Sequence, residues 1–165
     1  MDRISTCCPF FSENNMLRFI VVAMVMAAAS VHAEPVIGVQ DGDTLTILRE
    51  DRPLKVRLAN VDSPEKRQDF GQRAKQSLSD MCYRKDAIVR ILSTDRYGRA
   101  VALVSCEGTD VNRAQVERGL AWVYTKYNKD PTLPTLQAAA LAKRRGLWAD
   151  EDPVAPWDYR RSGTR

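Results

Sequence analysis

Short segments that alternate apolar and polar residues, closed off by tight turn signals, constrain this chain more than any other feature. Thr44–Arg49 sets Leu45 and Ile47 on one face, and Leu54–Leu58 does the same with Leu54, Val56 and Leu58. Strands this short hold only within a sheet whose apolar face is covered. Val36–Gln40 is a further strand candidate before the turn Asp41-Gly42-Asp43, and Glu50–Pro53 joins the next two segments as a hairpin. Ala87–Leu92 and Arg99–Ser105, joined across Asp95-Arg96-Tyr97-Gly98, form a second hairpin.

Helical spacing appears in three places. Gln68–Met81 carries Phe70, Ala74, Leu78 and Met81; Asp110–Arg118 has Asp110 as N-cap and Gly119 as C-cap; Ala-rich Leu133–Arg145 ends at Gly146. Five short strands with a helix after the third suit a small closed barrel of the oligonucleotide-binding type, although this pattern alone admits other α+β arrangements. Residues 151–165, with Pro153 and Pro156, read as an extended C-terminal tail.

The N-terminus reads differently. Arg18 precedes the apolar run Phe19–Ser30, and Val31-His32-Ala33 supplies small residues for cleavage before Glu34. Residues 1–33 therefore read as a secretory signal peptide, with Met16 an alternative start and an uncleaved anchor the competing interpretation. The run is shorter than the roughly 20 residues a membrane span needs. The expectation is a periplasmic or secreted protein, a domain over 34–150, and no stable membrane association once the leader is gone.

Cleavage removes His32, the one histidine of the chain, so triads and Cys–His pairs are excluded. It leaves Cys82 and Cys106 of four cysteines; in an exported domain these suggest a disulfide, two buried free thiols being the alternative. Net charge is +4, which favours an anionic partner without specifying one.

Acidic and cationic residues gather at the turns. Asp43, Asp62 and Glu65 offer hard oxygen ligands suited to Ca²⁺ or Mg²⁺. Arg57 and Arg99 each present a fork of donors matched to a phosphate. Carboxylates holding a divalent cation beside two arginines describe phosphodiester cleavage. Trp122, Trp148 and Trp157 are assigned to packing, and Lys143-Arg144-Arg145 to a solvated helix end.

Several segments together, in order, carry a resemblance: Asp41-Gly42-Asp43-Thr44, Val56-Arg57-Leu58, Val61-Asp62-Ser63-Pro64-Glu65, Asp95-Arg96-Tyr97-Gly98-Arg99, Asp110-Val111-Asn112, Arg118-Gly119-Leu120-Ala121, Gly146-Leu147-Trp148 and Pro156-Trp157. The chain resembles the staphylococcal-nuclease (thermonuclease) family from about residue 36 to 157. The resemblance implies a five-stranded OB-fold barrel with three helices. It implies Ca²⁺ on Asp43, Asp62 and the backbone carbonyl of Ser63, with Asp41 acting through water. Glu65 would be general base for the attacking water or its orienter, and Arg57 and Arg99 would clamp the scissile phosphate. Arg96, Tyr97 and Tyr127 match substrate-binding positions, whereas Tyr124 does not align and Thr125 falls in its place. The loop after Glu65 is shortened to Lys66–Phe70. The implied activity is a monomeric, Ca²⁺-dependent, sugar-nonspecific nuclease acting on DNA and RNA, single strands preferred, with 3′-phosphorylated products. A non-catalytic single-strand-binding module is the alternative, and it would lack one or more of Asp43, Arg57, Asp62, Glu65 and Arg99.

Overall fold

The computed structural model describes residues 32–163. The leader run Phe19–Ser30 and the candidate start Met16 lie outside the described residues. Among those described, no helix is long and apolar enough to cross a membrane.

Three strands come first: β1 (Ala33–Val39), β2 (Thr44–Arg49) and β3 (Arg52–Leu58). They pair antiparallel in sequence order, with Val36 opposite Ile47 and Thr44 opposite Arg57. The β2–β3 hairpin turns on Glu50 and Asp51, both at positive φ (50° and 59°). That two-residue turn matches strand twist, as Asn-Gly turns do, but is built here from residues that do not announce it.

Short β4 (Val61–Asp62) leads to helix α1 (Gly71–Cys82), then to β5 (Asp86–Thr94) and β6 (Ala100–Cys106). β5 pairs with β1 and β6, and β6 pairs in parallel with β3. These five strands therefore close a barrel in the order β1-β2-β3-β6-β5, the expected OB-fold. Two-residue β7 (Thr109–Asp110) turns back to pair antiparallel with β6, and β8 (Trp122–Val123) pairs with β4. Closure leaves little open sheet edge and encloses one core. Leu45, Ile47, Val56, Leu58, Leu78 and Val104 are essentially inaccessible to solvent there.

Cys82 and Cys106 are joined in a disulfide that ties the end of α1 to the end of β6, with Cα atoms 5.4 Å apart. Helix α2 (Val111–Glu117) starts on Asp110, whose side chain accepts a bond from the Arg113 amide. Helix α3 (Leu133–Ala142) and a 3₁₀ turn at Gly146–Ala149 complete the helical side.

Element boundaries differ from expectation in physical ways. α1 starts at Gly71 rather than Gln68 because residues 65–71 form successive turns, the Gln68 amide reaching the Glu65 carbonyl (2.9 Å) and the Gly71 amide the Gln68 carbonyl (2.9 Å). α3 ends at Ala142 rather than Arg145 because Arg144 turns to φ 48°. Arg144 and Arg145 then reach the carbonyls of Ala149 and Glu117, so they bond to the fold as well as facing solvent.

The largest departure is the tail. Residues 156–161 are not extended but form helix α4 (Pro156–Arg161), with Pro in the first turn, Asp158 near its start, and Arg160 and Arg161 in the last turn. Trp157 stacks on Tyr124 (centroids 5.4 Å, 10° between planes) and meets Trp122 edge-on. Trp122 in turn packs against Trp148. The three tryptophans therefore pack, and they dock the tail.

Candidate active site

Every residue nominated above for metal, catalysis or substrate lines one open cleft of about 990 Å³. Two close approaches set its floor. A Cβ on Gly42 would overlap the side chains of Ala74 and Ser63, so the Asp41–Asp43 turn lies directly on α1 and the 61–65 loop. A Cβ on Gly71 would overlap the Glu65 carbonyl, so the same helix start supports the backbone that carries Glu65.

Two buried amides hold these loops. Gln115 donates from Nε2 to the carbonyls of Gly42 (2.6 Å) and Ala74 (2.9 Å). Asn112 donates from Nδ2 to the carbonyls of Ala59 (3.0 Å) and Ala102 (3.1 Å), and its Oδ1 accepts from the Val104 amide (3.0 Å). Both fix backbone that bears site residues, and the sequence reading gave neither a role. The available signal is a polar residue on the inward face of an apolar helix.

Within the cleft, Arg57 projects from β3 between Asp43 and Asp62. Its Nη1 donates to Asp43 Oδ1 and its Nη2 to Asp62 Oδ1 (2.6 Å). Burial works against the guanidinium charge, but the two carboxylates outweigh it and raise its pKa. Asp43 also accepts from Thr44 Oγ1 (3.0 Å) and the Ser63 amide (2.8 Å). Asp43 and Asp62 are 3% and 1% exposed, so neither is an ordinary surface carboxylate.

Asp41 accepts from the Asp43 amide (3.1 Å). Burial, and next the charge of Asp43, push its carboxyl up to about 6. Arg99 leaves the second hairpin from a turn built around Asp95, which accepts from the Tyr97 and Arg99 amides (2.9 and 3.0 Å) and from Arg99 Nε (2.8 Å). Burial alone would raise Asp95; these bonds prevail and hold it below the usual carboxylate range. Arg96 lies over the ring of exposed Tyr97, and exposed Tyr127 meets Tyr124 edge-on.

One site residue escaped the sequence reading. Arg160 of α4 donates from Nη2 to Asp62 Oδ2 (2.6 Å) and from Nη1 to Glu65 Oε1 (2.7 Å). Asp62 thus accepts from two arginines. Among the described residues, no group of three or more His, Cys, Asp or Glu side chains closes in a metal-ligating arrangement. The guanidiniums of Arg57 and Arg160 stand between the carboxylates instead. The donor set still fits a hard divalent cation: the side chains are carboxylates, and Asp43, Asp62 and Glu65 share two guanidiniums, with Asp41 beside them unpaired by either.

Comparison with known proteins points the same way. The sequence matches the family described as "Staphylococcal nuclease homologue" over residues 55–150. It is 41% identical over 133 residues to an "uncharacterized endonuclease" of Escherichia coli O157:H7, covering 80% of this chain and 86% of the relative. A Haemophilus influenzae protein of the same description is 43% identical over 127 residues (76% and 71% covered). A "micrococcal nuclease" of Shigella flexneri is 34% identical over 154 residues (87% and 88% covered).

Proposed function

The chain belongs to the staphylococcal nuclease homologue family, and from that footing we propose that it is an exported, Ca²⁺-dependent nuclease that cleaves DNA and RNA to 3′-phosphorylated products. It is a phosphodiester-hydrolysing enzyme whose substrates are nucleic acids. The observation that carries the finer reading is the convergence of Asp43, Asp62, Glu65, Arg57 and Arg99 on one open cleft.

In this reading Asp43, Asp62 and the Ser63 carbonyl hold Ca²⁺, with Asp41 acting through water. The bound cation supplies charge neutralisation at the scissile phosphate. Glu65 takes a proton from the attacking water or holds that water in line; its half-exposed carboxylate stands at the cleft where solvent enters. The new bond joins the water oxygen to phosphorus, and the P–O5′ bond breaks, the departing oxygen taking a proton from solvent to become the 5′-hydroxyl. Arg57 keeps N–H donors beyond those engaged by Asp43 and Asp62, and Arg99 projects from its Asp95 turn, so both can bond the phosphoryl oxygens as charge builds. Exposed Tyr97 and Tyr127, with Arg96, suit stacking on unpaired bases, which supports a preference for single strands and for either sugar.

Export is supported by the leader pattern and by the Cys82–Cys106 disulfide, a bond suited to an oxidising compartment. The enzyme acts as a monomer on this account. Digestion of single-stranded DNA and RNA oligonucleotides, with Ca²⁺ or with chelator and with product ends identified, tests the proposal. Cleavage only with Ca²⁺, leaving 3′-phosphates, is expected; Ca²⁺-independent cleavage or 5′-phosphate ends would refute it.

A further inference from the structure

The C-terminal helix reaches into the site with a positive charge. Arg160 lies 98 residues from Asp62 and 95 from Glu65 in the chain, yet bonds to both. Its Nη1 also stands 3.4 Å from Asp62 Oδ1, so the guanidinium faces both oxygens of that buried carboxylate.

This contact is not a loose surface pairing. Ala155 and Pro156 are buried at the start of α4, and Trp157 stacks on Tyr124. The Tyr124 amide bonds the Asn60 carbonyl (2.8 Å), within the loop that leads to Asp62. Gln68 donates from Nε2 to the Val154 carbonyl (2.6 Å), and its Oε1 accepts from the Glu65 amide (3.1 Å). The helix is therefore pinned to the two stretches that carry Asp62 and Glu65. An arginine half-exposed at 40% but bidentate on a 1%-exposed aspartate is held where it is by packing.

We propose that Arg160 is a positioning residue of this active site: it acts as a tethered counter-cation that keeps Asp62 and Glu65 in place and is exchanged for the divalent cation when that binds. The inference rests on the cation reading above. Its logic is that Asp62 Oδ2 cannot serve a guanidinium and a metal ion with the same lone pair. A divalent ion outbids one positive charge for the Asp62 carboxylate, and the packed helix keeps the released arginine at the rim, which also frees Glu65 Oε1 for the attacking water. Removing the guanidinium removes a competitor, so cation affinity rises. Were Arg160 merely a brace for the loop, its removal would leave affinity unchanged or lower it.

The test uses the mature, metal-free protein and Ca²⁺ alone, titrated calorimetrically into wild type, Arg160→Gln and Arg160→Lys. Arg160→Gln is expected to bind Ca²⁺ about tenfold more tightly than wild type, a figure already reduced for partial exposure of the pair, and Arg160→Lys should fall between. Thermal melts supply a second readout. Arg160→Gln should melt below wild type in chelator, and that gap should close in saturating Ca²⁺, because the loaded protein no longer uses the contact. Unchanged or weaker Ca²⁺ binding, or a melting gap of the same size in both conditions, overturns the exchange while leaving the cation reading standing. Absence of Ca²⁺ binding by all three proteins overturns both.

Discussion

An arginine–carboxylate group lies at each end of strand β2, and the two differ in charge balance. At its far end Arg49 forks onto Glu34 of β1, Nε to Oε1 and Nη2 to Oε2 (2.8 Å). One carboxylate meets one guanidinium, and the charges cancel. At its near end, beside Thr44, Arg57 is shared by Asp43 and Asp62, Asp62 is shared with Arg160, and Asp41 stands behind. The residue types are alike; the balance is not, and Arg49 is 33% exposed against 16% for Arg57. A balanced pair satisfies the fold and asks for nothing more. In the other group three carboxylates, Asp43, Asp62 and Glu65, meet two guanidiniums, and on the proposed reading a bound cation answers the remaining charge.

The comparison breaks most visibly through activity. Glu65→Gln and Arg99→Ala are each expected to lower the cleavage rate about a thousandfold while leaving the melting temperature close to wild type, measured by oligonucleotide digestion and calorimetry. Near-wild-type turnover in either would contradict the assigned roles. Next in size is Arg57→Ala, which leaves Asp43 and Asp62 buried and facing each other. It should lose about 3–5 kcal/mol of stability in chelator, and Ca²⁺ should restore more of that than it adds to wild type.

The other end of β2 sharpens the contrast. Arg49→Ala should cost about 1–3 kcal/mol, less than a fully buried pair because Arg49 is a third exposed, and should leave cleavage and the Ca²⁺-induced rise in melting temperature unchanged. A loss of cation response there would erase the distinction. The smallest effect concerns Asp41. Its carboxyl is raised from 3.8 to about 6 by burial and by Asp43, so folding favours its protonated form. That contribution is fully present below the unfolded value and is lost as pH rises through about 6. In chelator, Asp41→Asn should therefore match wild type near pH 4 and exceed it in melting temperature at pH 7.

Much of this site is legible in the chain because local signals and motif order coincide. Asp41-Gly42-Asp43 is a turn by its own chemistry, Arg57 stands out as a charge inside an alternating strand, and the Asp95 turn presents Arg99. Barrel closure then brings them together. What the sequence hides is long-range. Gln115 looks like any polar residue of a short helix until Gly42 and Ala74 supply its partners. The Glu50-Asp51 turn lacks the glycine that would announce positive φ. Residues 156–161 are too few, and follow Pro153 too closely, to read as a helix unless the aromatic pocket of Trp122 and Tyr124 is already known. Arg160 is hidden for the same reason.

The central claim is that the carboxylate surplus among ion-paired Asp43, Asp62 and Glu65 is answered by a divalent cation that makes the enzyme work. Its most direct test is a Ca²⁺ titration of the metal-free protein in which heat of binding and cleavage of a single-stranded oligonucleotide are followed on the same samples. The account predicts that activity tracks occupancy of one binding event and disappears in chelator. Full cleavage in chelator, or Ca²⁺ binding with no cleavage, would contradict it.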